Sequence, residues 1–146
     1  MEGMKILLVE DNLDDIELTK RALSQCKVKN PVFIARDGQE AIDYIFHKGK
    51  YSEGTDAPVP NVIILDLKLP RMDGFEVLKR IKEDAILKRI PIIMLTTSKR
   101  DEDVIKSYDL GVNSYIIKPV DFDKFIDTIQ SIQEYWGDTN MSPVLQ

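Results

Sequence analysis

Five short runs of apolar residues recur along the chain, each separated from the next by a longer segment of mixed character. The runs cover residues 6–9, 32–35, 62–65, 92–95 and 115–117. Short runs rich in Val, Ile and Leu are typical of strands that are buried on both faces of a sheet. The pattern therefore predicts five buried strands.

The segments between the runs predict helices, because their apolar residues recur every three or four positions. In the first segment, Leu18, Ala22 and Cys26 follow a polar start in which we interpret Asp14 and Glu17 as a capping pair. The later stripes cover residues 41–46, 77–81, 104–108 and 122–132.

Strands and helices alternate strictly, which predicts an α/β fold with a parallel sheet covered by helices on both faces. Asp73 is placed to cap the third helix, Gly111 to end the fourth, and the last stripe runs on to Trp136. Two segments lack a clear period. Residues 47–60 are expected to form a long loop, functional or disordered, and the polar tail 137–146 is expected to fray.

Composition narrows the class of protein. The chain has 146 residues, of which 43% are hydrophobic and 31% charged, as in globular domains. The formal net charge is −5 and no dense run of Lys and Arg is present, which disfavours nucleic-acid binding. We predict a single domain over residues 1–146 with its core at about 4–135.

Few residues are available for sulfur or zinc chemistry. Cys26 is the only cysteine and His47 the only histidine, so an internal disulfide is excluded and a zinc site is disfavoured. The first apolar run is too short for a signal-peptide core or a membrane span. We therefore expect a cytoplasmic protein without membrane contact.

Polar residues stand where four of the predicted strands end. Glu10 and Asp11 follow the first strand, Asp66 the third, Thr96 the fourth and Lys118 the fifth. The carboxyl ends of parallel strands share one edge of the sheet, where such folds bind their ligands. Three neighbouring carboxylates repel one another by a few kcal/mol per pair. Because a bound divalent cation would offset this repulsion, the three residues predict a metal site. Oxygen ligands that leave room for water and phosphate favour Mg²⁺.

The same residues suit phosphoryl transfer. An aspartate such as Asp66 can attack phosphorus to form an acyl phosphate. Mg²⁺ and Lys118 would neutralise charge on the phosphoryl oxygens, and the Thr96 hydroxyl would donate a hydrogen bond to one of them. By contrast, Asp14 and Asp15 are interpreted only as the start of a helix.

The set of Glu10-Asp11, Asp66 with the sequence LPRMDG, Thr96 and Lys118-Pro119 resembles the receiver domain of two-component response regulators over roughly residues 4–135. The resemblance implies a flavodoxin-like fold with strand order 2-1-3-4-5. It also implies that Glu10 and Asp11 bind Mg²⁺ and that Asp66 is the phosphoacceptor. Thr96 and Lys118 would then stabilise the phosphoryl group.

Two further roles follow from the resemblance alone. The main-chain carbonyl of Lys68, two residues after the phosphoacceptor, would be a metal ligand, and Thr96 and Tyr115 would form the switch pair. The Lys68 side chain is unusual at its position. The face around the fourth helix, fifth strand and fifth helix would change its affinity for partners after phosphorylation.

The long loop before the third strand and the IQEYW sequence near the C-terminus are similar to those of single-domain regulators that partner cyanobacterial phytochromes. This implies a histidine kinase, of phytochrome type, as phosphodonor. It also implies output through a downstream protein or a phosphotransfer protein. A homodimer would form through the fifth strand and helix, with Phe122, Tyr135 and Trp136.

Three other functions compete with this interpretation. An aspartyl-phosphate hydrolase would carry a second Asp at position 68, where this chain has Lys68, so we expect no enzyme beyond self-catalysed phosphoryl acceptance and hydrolysis. A nucleotide or flavin module would need a phosphate-binding loop where this chain has EDNLDD. A pseudo-receiver that binds partners without phosphorylation is the remaining alternative.

Overall fold

Five parallel strands form one sheet in the order β2-β1-β3-β4-β5, which confirms the predicted fold class and strand order. The computed structural model describes residues 3–53 and 56–143. The strands are β1 (Ile6–Val9), β2 (Val32–Ala35), β3 (Val62–Leu65), β4 (Ile92–Thr96) and β5 (Ser114–Ile117). All neighbouring strands pair in parallel, as the alternation of strands and helices requires.

Helices follow the strands in turn. They are α1 (Leu13–Ser24), α2 (Gly38–Phe46), α3 (Gly74–Lys82), α4 (Asp101–Asp109) and α5 (Phe122–Gln133). Short 3₁₀ turns cover Gly49–Tyr51 and Leu87–Arg89, and a π-helical segment, Glu134–Thr139, continues α5. Among residues 3–53 and 56–143, no helix has the length and apolar character needed to cross a membrane.

Alternation along each strand divides the core into two layers. In β1, Leu7 and Val9 face the layer under α2 and α3, whereas Ile6 and Leu8 face the layer under α1 and α5. All four are at most 2% exposed, as period-2 side-chain directions predict for a strand covered on both faces. Helices therefore pack on both faces of the sheet, and this packing fixes the positions of the carboxyl ends of its strands.

Side-chain caps begin four of the helices and explain where they start. Asn12, Asp37, Asp73 and Asp121 each accept a hydrogen bond from the backbone N–H three residues later, at 2.7–3.1 Å. The predicted cap at Asp73 is confirmed. The predicted pair of Asp14 and Glu17 is wrong, because Asn12 caps α1 two residues earlier.

The less regular segments also differ from expectation. The predicted fraying after Trp136 is wrong for its first part, since helical structure continues to Thr139. Within residues 47–60, Tyr51 donates a hydrogen bond to Glu40 at 2.7 Å, and Tyr44 donates one to the Pro58 carbonyl at 2.8 Å. Both contacts hold the loop against α2. Residues 54–55, 1–2 and 144–146 lie outside the described part of the chain.

Candidate functional site

The sheet brings the predicted site residues to one edge, just beyond the last paired residues of the strands. The backbone N–H of Glu10 donates to the Ala35 carbonyl at 3.0 Å, and that of Asp66 donates to the Val9 carbonyl at 3.0 Å. These bonds place Glu10 and Asp66 at the same level on adjacent strands. The backbone hydrogen bonds between the strands therefore set the positions of the two carboxylates, independently of side-chain contacts.

Lys118 lies at the centre of the site. Its ammonium group donates to Glu10 Oε1 at 2.6 Å, to Asp66 Oδ2 at 3.0 Å and to Asp15 Oδ2 at 2.8 Å. Its side chain is 7% exposed, so the charge is almost fully removed from water. Burial alone disfavours the charged ammonium. The hydrogen bonds to Asp15 and Glu10 and the charge of Asp66 outweigh it and raise the pKa of Lys118 above its usual value.

Asp15 was not predicted as a site residue. It lies in the first turn of α1, where its own N–H donates to the Asn12 cap at 3.0 Å. Helical side chains tilt toward the N-terminus, and the N-terminus of α1 faces the cleft, so an acidic residue three positions after the cap points at the site. The spacing from Asn12 was the available signal, and it was missed because the cap was placed at Asp14.

Three carboxylates form a group suited to a metal ion. One oxygen each from Glu10, Asp11 and Asp66 lies within 4.8 Å of the others. Glu10 and Asp66 are buried while Asp11 is exposed, so the group opens to solvent on one side. Burial raises the pKa of Glu10 to about 7; Lys118 opposes the rise and the charge of Asp66 adds to it. This charge crowding and the all-oxygen donor set fit a hard divalent cation.

The loop after β3 is shaped around Asp66. The backbone N–H of Lys68 lies 3.4 Å from Asp66 Oδ1, and the Lys68 side chain is exposed. Gly74 begins α3 against this loop, and a Cβ atom there would lie 2.4 Å from the Asp66 carbonyl oxygen. Only glycine permits that close approach. The use of the Lys68 carbonyl as a metal ligand stays a prediction.

Thr96 and Tyr115 are joined through a residue that sequence reasoning missed, Ser98. The Thr96 side chain is fully buried, and its hydroxyl oxygen accepts from the Ser98 N–H at 3.4 Å. The Tyr115 hydroxyl donates to the Ser98 carbonyl at 2.9 Å. The Ser98 hydroxyl donates to Asp103 in α4 at 2.6 Å. Ser98 therefore connects both predicted switch residues to α4, through contacts that have no signature in the sequence.

Apolar side chains are exposed on the face formed by α4, β5 and α5. The most exposed are Ile105, Tyr108, Val120, Phe122 and Tyr135, each more than half exposed. Trp136 differs, because it is half-buried and packs on the core layer beneath α1 and α5. Exposed apolar residues grouped on one face are a feature of binding surfaces. Of the three residues predicted for a dimer contact, Phe122 and Tyr135 are thus exposed and Trp136 is half-buried.

Comparisons with known proteins agree with this geometry. The family profile described as "Response regulator receiver domain" matches residues 6–130. The chain is 41% identical over 138 residues to a probable methanogenesis regulatory protein, FilR2, of Methanothrix harundinacea, covering 94% of this chain and 86% of FilR2. It is also 41% identical over 138 residues to response regulator Rcp1 of Synechocystis sp., covering 94% and 92%.

Solved structures give the same result. The phosphorylated cyanobacterial phytochrome response regulator RcpA is similar with a TM-score of 0.90 and 42% identity, covering 97% of this chain and 99% of RcpA. The Mn(2+)-bound form of Rcp1 also has a TM-score of 0.90, with 40% identity and the same coverage. The profile match alone spans more than half of the chain. The chain belongs to the response regulator receiver domains, the phosphorylation-controlled components of two-component signalling.

Proposed function

We propose that this receiver accepts a phosphoryl group on Asp66 from a histidine kinase and that the acyl phosphate changes its affinity for partners. One observation carries the proposal. Asp66 is buried at the end of a central strand, with the Lys118 ammonium 3.0 Å from one of its oxygens and two further carboxylates beside it. A reactive carboxylate next to a cation and a metal-binding group is the arrangement that phosphoryl transfer needs.

The transfer is a displacement at phosphorus. An oxygen of Asp66 forms the new O–P bond, and the P–N bond of phosphohistidine breaks with its electron pair passing to the imidazole nitrogen. Lys118 balances negative charge on the phosphoryl oxygens. Glu10, Asp11, Asp66 and the Lys68 carbonyl would hold Mg²⁺, which supplies further charge neutralisation when bound. The RcpA and Rcp1 structures, phosphorylated and Mn(2+)-bound respectively, support both parts.

Switching starts from Thr96 in this proposal. Once a phosphoryl oxygen is present, the Thr96 side chain rotates to donate a hydrogen bond to it, and this rotation carries the hydroxyl oxygen away from the Ser98 N–H. Tyr115 and α4, which are both attached to Ser98, then change position. The population of an alternative arrangement of the α4, β5 and α5 face rises, and with it the affinity for a partner.

The proposed partners follow from the relatives and from that face. RcpA is a phytochrome response regulator, which supports a phytochrome-type histidine kinase as donor for this chain. The exposed apolar face supports a downstream protein, a phosphotransfer protein or a second copy of the chain as the receiving partner. We place the exchange in the cytoplasm, in keeping with a single cysteine and no disulfide partner.

We propose no turnover enzyme, because Lys68 stands where an aspartyl-phosphate hydrolase would carry its second Asp as the acid–base group. The competing function is a pseudo-receiver that binds partners without phosphorylation. Intact-mass analysis separates the two, using phosphoramidate with and without Mg²⁺ on the wild type and on Asp66→Ala. We expect one phosphoryl adduct that requires Mg²⁺ and is missing in Asp66→Ala. A folded wild type without an adduct would favour the pseudo-receiver.

A further inference from the structure

We infer that Asp15 is a positioning residue that holds the Lys118 ammonium in place while Asp66 gains and loses its phosphoryl group. This inference rests on the proposed function. It starts from the contacts of Lys118, which donates to Asp15 at 2.8 Å, a shorter distance than the 3.0 Å to Asp66. The contact joins the first turn of α1 to the end of β5, two elements that flank the phosphoacceptor from opposite directions.

The ammonium has three N–H groups, and the site offers it three carboxylates. Forming the acyl phosphate changes one of these acceptors, because the negative charge of the Asp66 carboxylate is replaced by that of phosphoryl oxygens further from the strand. Lys118 then needs acceptors other than Asp66 to keep its position, and Glu10 and Asp15 are the two that it has among the described residues. Glu10 alone would leave the ammonium free to rotate about a single contact, whereas Glu10 and Asp15 together fix its direction.

Asp15 itself is well anchored. Its N–H donates to the Asn12 side chain at 3.0 Å, and its carbonyl accepts from the Thr19 hydroxyl at 2.7 Å. The side chain is 23% exposed, so it lies at the rim of the buried group. The Asp15 carboxylate therefore has a fixed position, and it can hold the Lys118 ammonium, which is carried by a long flexible side chain.

Two effects of removing the Asp15 charge oppose each other. Loss of a negative charge favours the approach of an anionic phosphodonor, but Asp15 is partly exposed and its longer-range field is screened by salt. Replacing the ion pair with a weaker hydrogen bond to a neutral amide lets Lys118 leave its position, and errors in placing a charged group at a reacting centre are costly. The contact effect is the larger. We expect Asp15→Asn to slow phosphoryl acceptance by about tenfold.

The test compares Asp15→Asn with Asp14→Asn, a matched control. Both residues lie in the first turn of α1, so both substitutions remove the same favourable charge at the helix N-terminus, but Asp14 is exposed. The rate of adduct formation with phosphoramidate is measured at saturating Mg²⁺. Asp14→Asn should match the wild type, and Asp15→Glu should recover part of the lost rate.

Two further readouts distinguish positioning from a general structural effect. In ¹H–¹⁵N spectra of the lysine ammonium groups, the hydrogen-bonded Lys118 signal should be lost or shifted in Asp15→Asn and kept in Asp14→Asn. In a Lys118→Met background, Asp15→Asn should change the rate less than twofold, because the group it positions is gone.

The outcomes separate the two proposals. No adduct on the wild type would overturn the proposed function. A phosphorylated wild type with equal rates in Asp15→Asn and Asp14→Asn would overturn the role of Asp15 alone. An equal slowing by Asp15→Asn with and without Lys118 would also overturn it. If Lys118→Met does not fold, the ammonium spectra decide.

Discussion

The two sides of the cleft at the carboxyl edge of the sheet are built differently. On one, which we call the anchored side, Glu10, Asp15 and Asp66 surround the buried Lys118 ammonium at 2.6–3.0 Å. On the other, the α4 side, Ser98 connects Tyr115 and Asp103 through single hydrogen bonds of a hydroxyl and a carbonyl. The anchored side is held by opposite charges in a region of low dielectric, and the α4 side by local polar contacts.

Helix α4 is also less firmly held than the other four helices. It starts after Arg100, which makes no side-chain capping bond within the described residues, whereas the other four helices have such caps. Its only buried residue is Ser107, and Ile105 is 61% exposed. Few buried apolar contacts and a missing cap mean a low local free energy of unfolding.

Under the proposed function, the difference gives separate tasks to the two sides. Chemistry requires groups that stay in place, and switching requires an element with two arrangements of similar free energy. The receiver places its charges where movement is costly and its weakest helix where movement changes an exposed surface.

The largest effect is expected from removing the cation of the anchored side. Lys118→Met leaves buried carboxylates without a counter-charge, so we expect the free energy of unfolding to fall by about 3 kcal/mol at pH 8 without Mg²⁺. Urea unfolding measures this, and added Mg²⁺ should restore part of the loss. Lys124→Met, at an exposed position of α5, is the control. A loss below about 1 kcal/mol would show that the carboxyls take up protons instead.

A pH change should weaken metal binding at the same side. Burial raises the pKa of Glu10 to about 7, so below that pH a proton occupies the carboxylate that a cation needs. We expect the Mg²⁺ dissociation constant to increase by about tenfold from pH 8 to pH 6. Calorimetric titrations in two buffers of different ionisation enthalpy would measure both the affinity and the protons released.

Glu10→Gln is the control for this pH effect and should remove most of it. An affinity in the wild type that does not change between these pH values would contradict the assignment of Glu10 as a ligand. The raised pKa of Glu10 also makes the free energy of unfolding depend on pH. From its usual value of 4.5 up to about 7, Glu10 binds more protons in the folded than in the unfolded chain, so the metal-free protein becomes less stable as pH rises through that window.

The smallest effect is expected on the α4 side. Ser98→Ala removes the bond to Asp103, and we expect a loss of about 1 kcal/mol together with faster amide hydrogen exchange in α4. Exchange in α1 and β3 should stay unchanged. Ser24→Ala, which removes a hydroxyl bond at the end of α1, is the matched control. Faster exchange throughout the sheet would mean that the two sides are not separable.

The sequence predicted those features that depend on the local pattern and on topology. Apolar runs place β1 and β3, and parallel pairing then brings Asp66 and Glu10 to one edge without any knowledge of side-chain positions. Ser98 was missed because its role depends on contacts made in three dimensions. Asp15 was missed because the cap of α1 was placed at Asp14 and not at Asn12. The helical extension to Thr139 was missed because its polar residues have no amphipathic period.

The contact between Lys118 and Glu10 spans 108 residues of sequence, and that with Asp15 spans 103. Contacts between residues so far apart in sequence carry a loop-closure entropy cost and are typical of slower folding. A chain in which β5 had not joined the sheet would lack the ammonium beside the carboxylates of β1 and β3. Under the proposed function, pairing of the last strand is therefore a condition for receiving a signal, because it delivers the ammonium to the carboxylates.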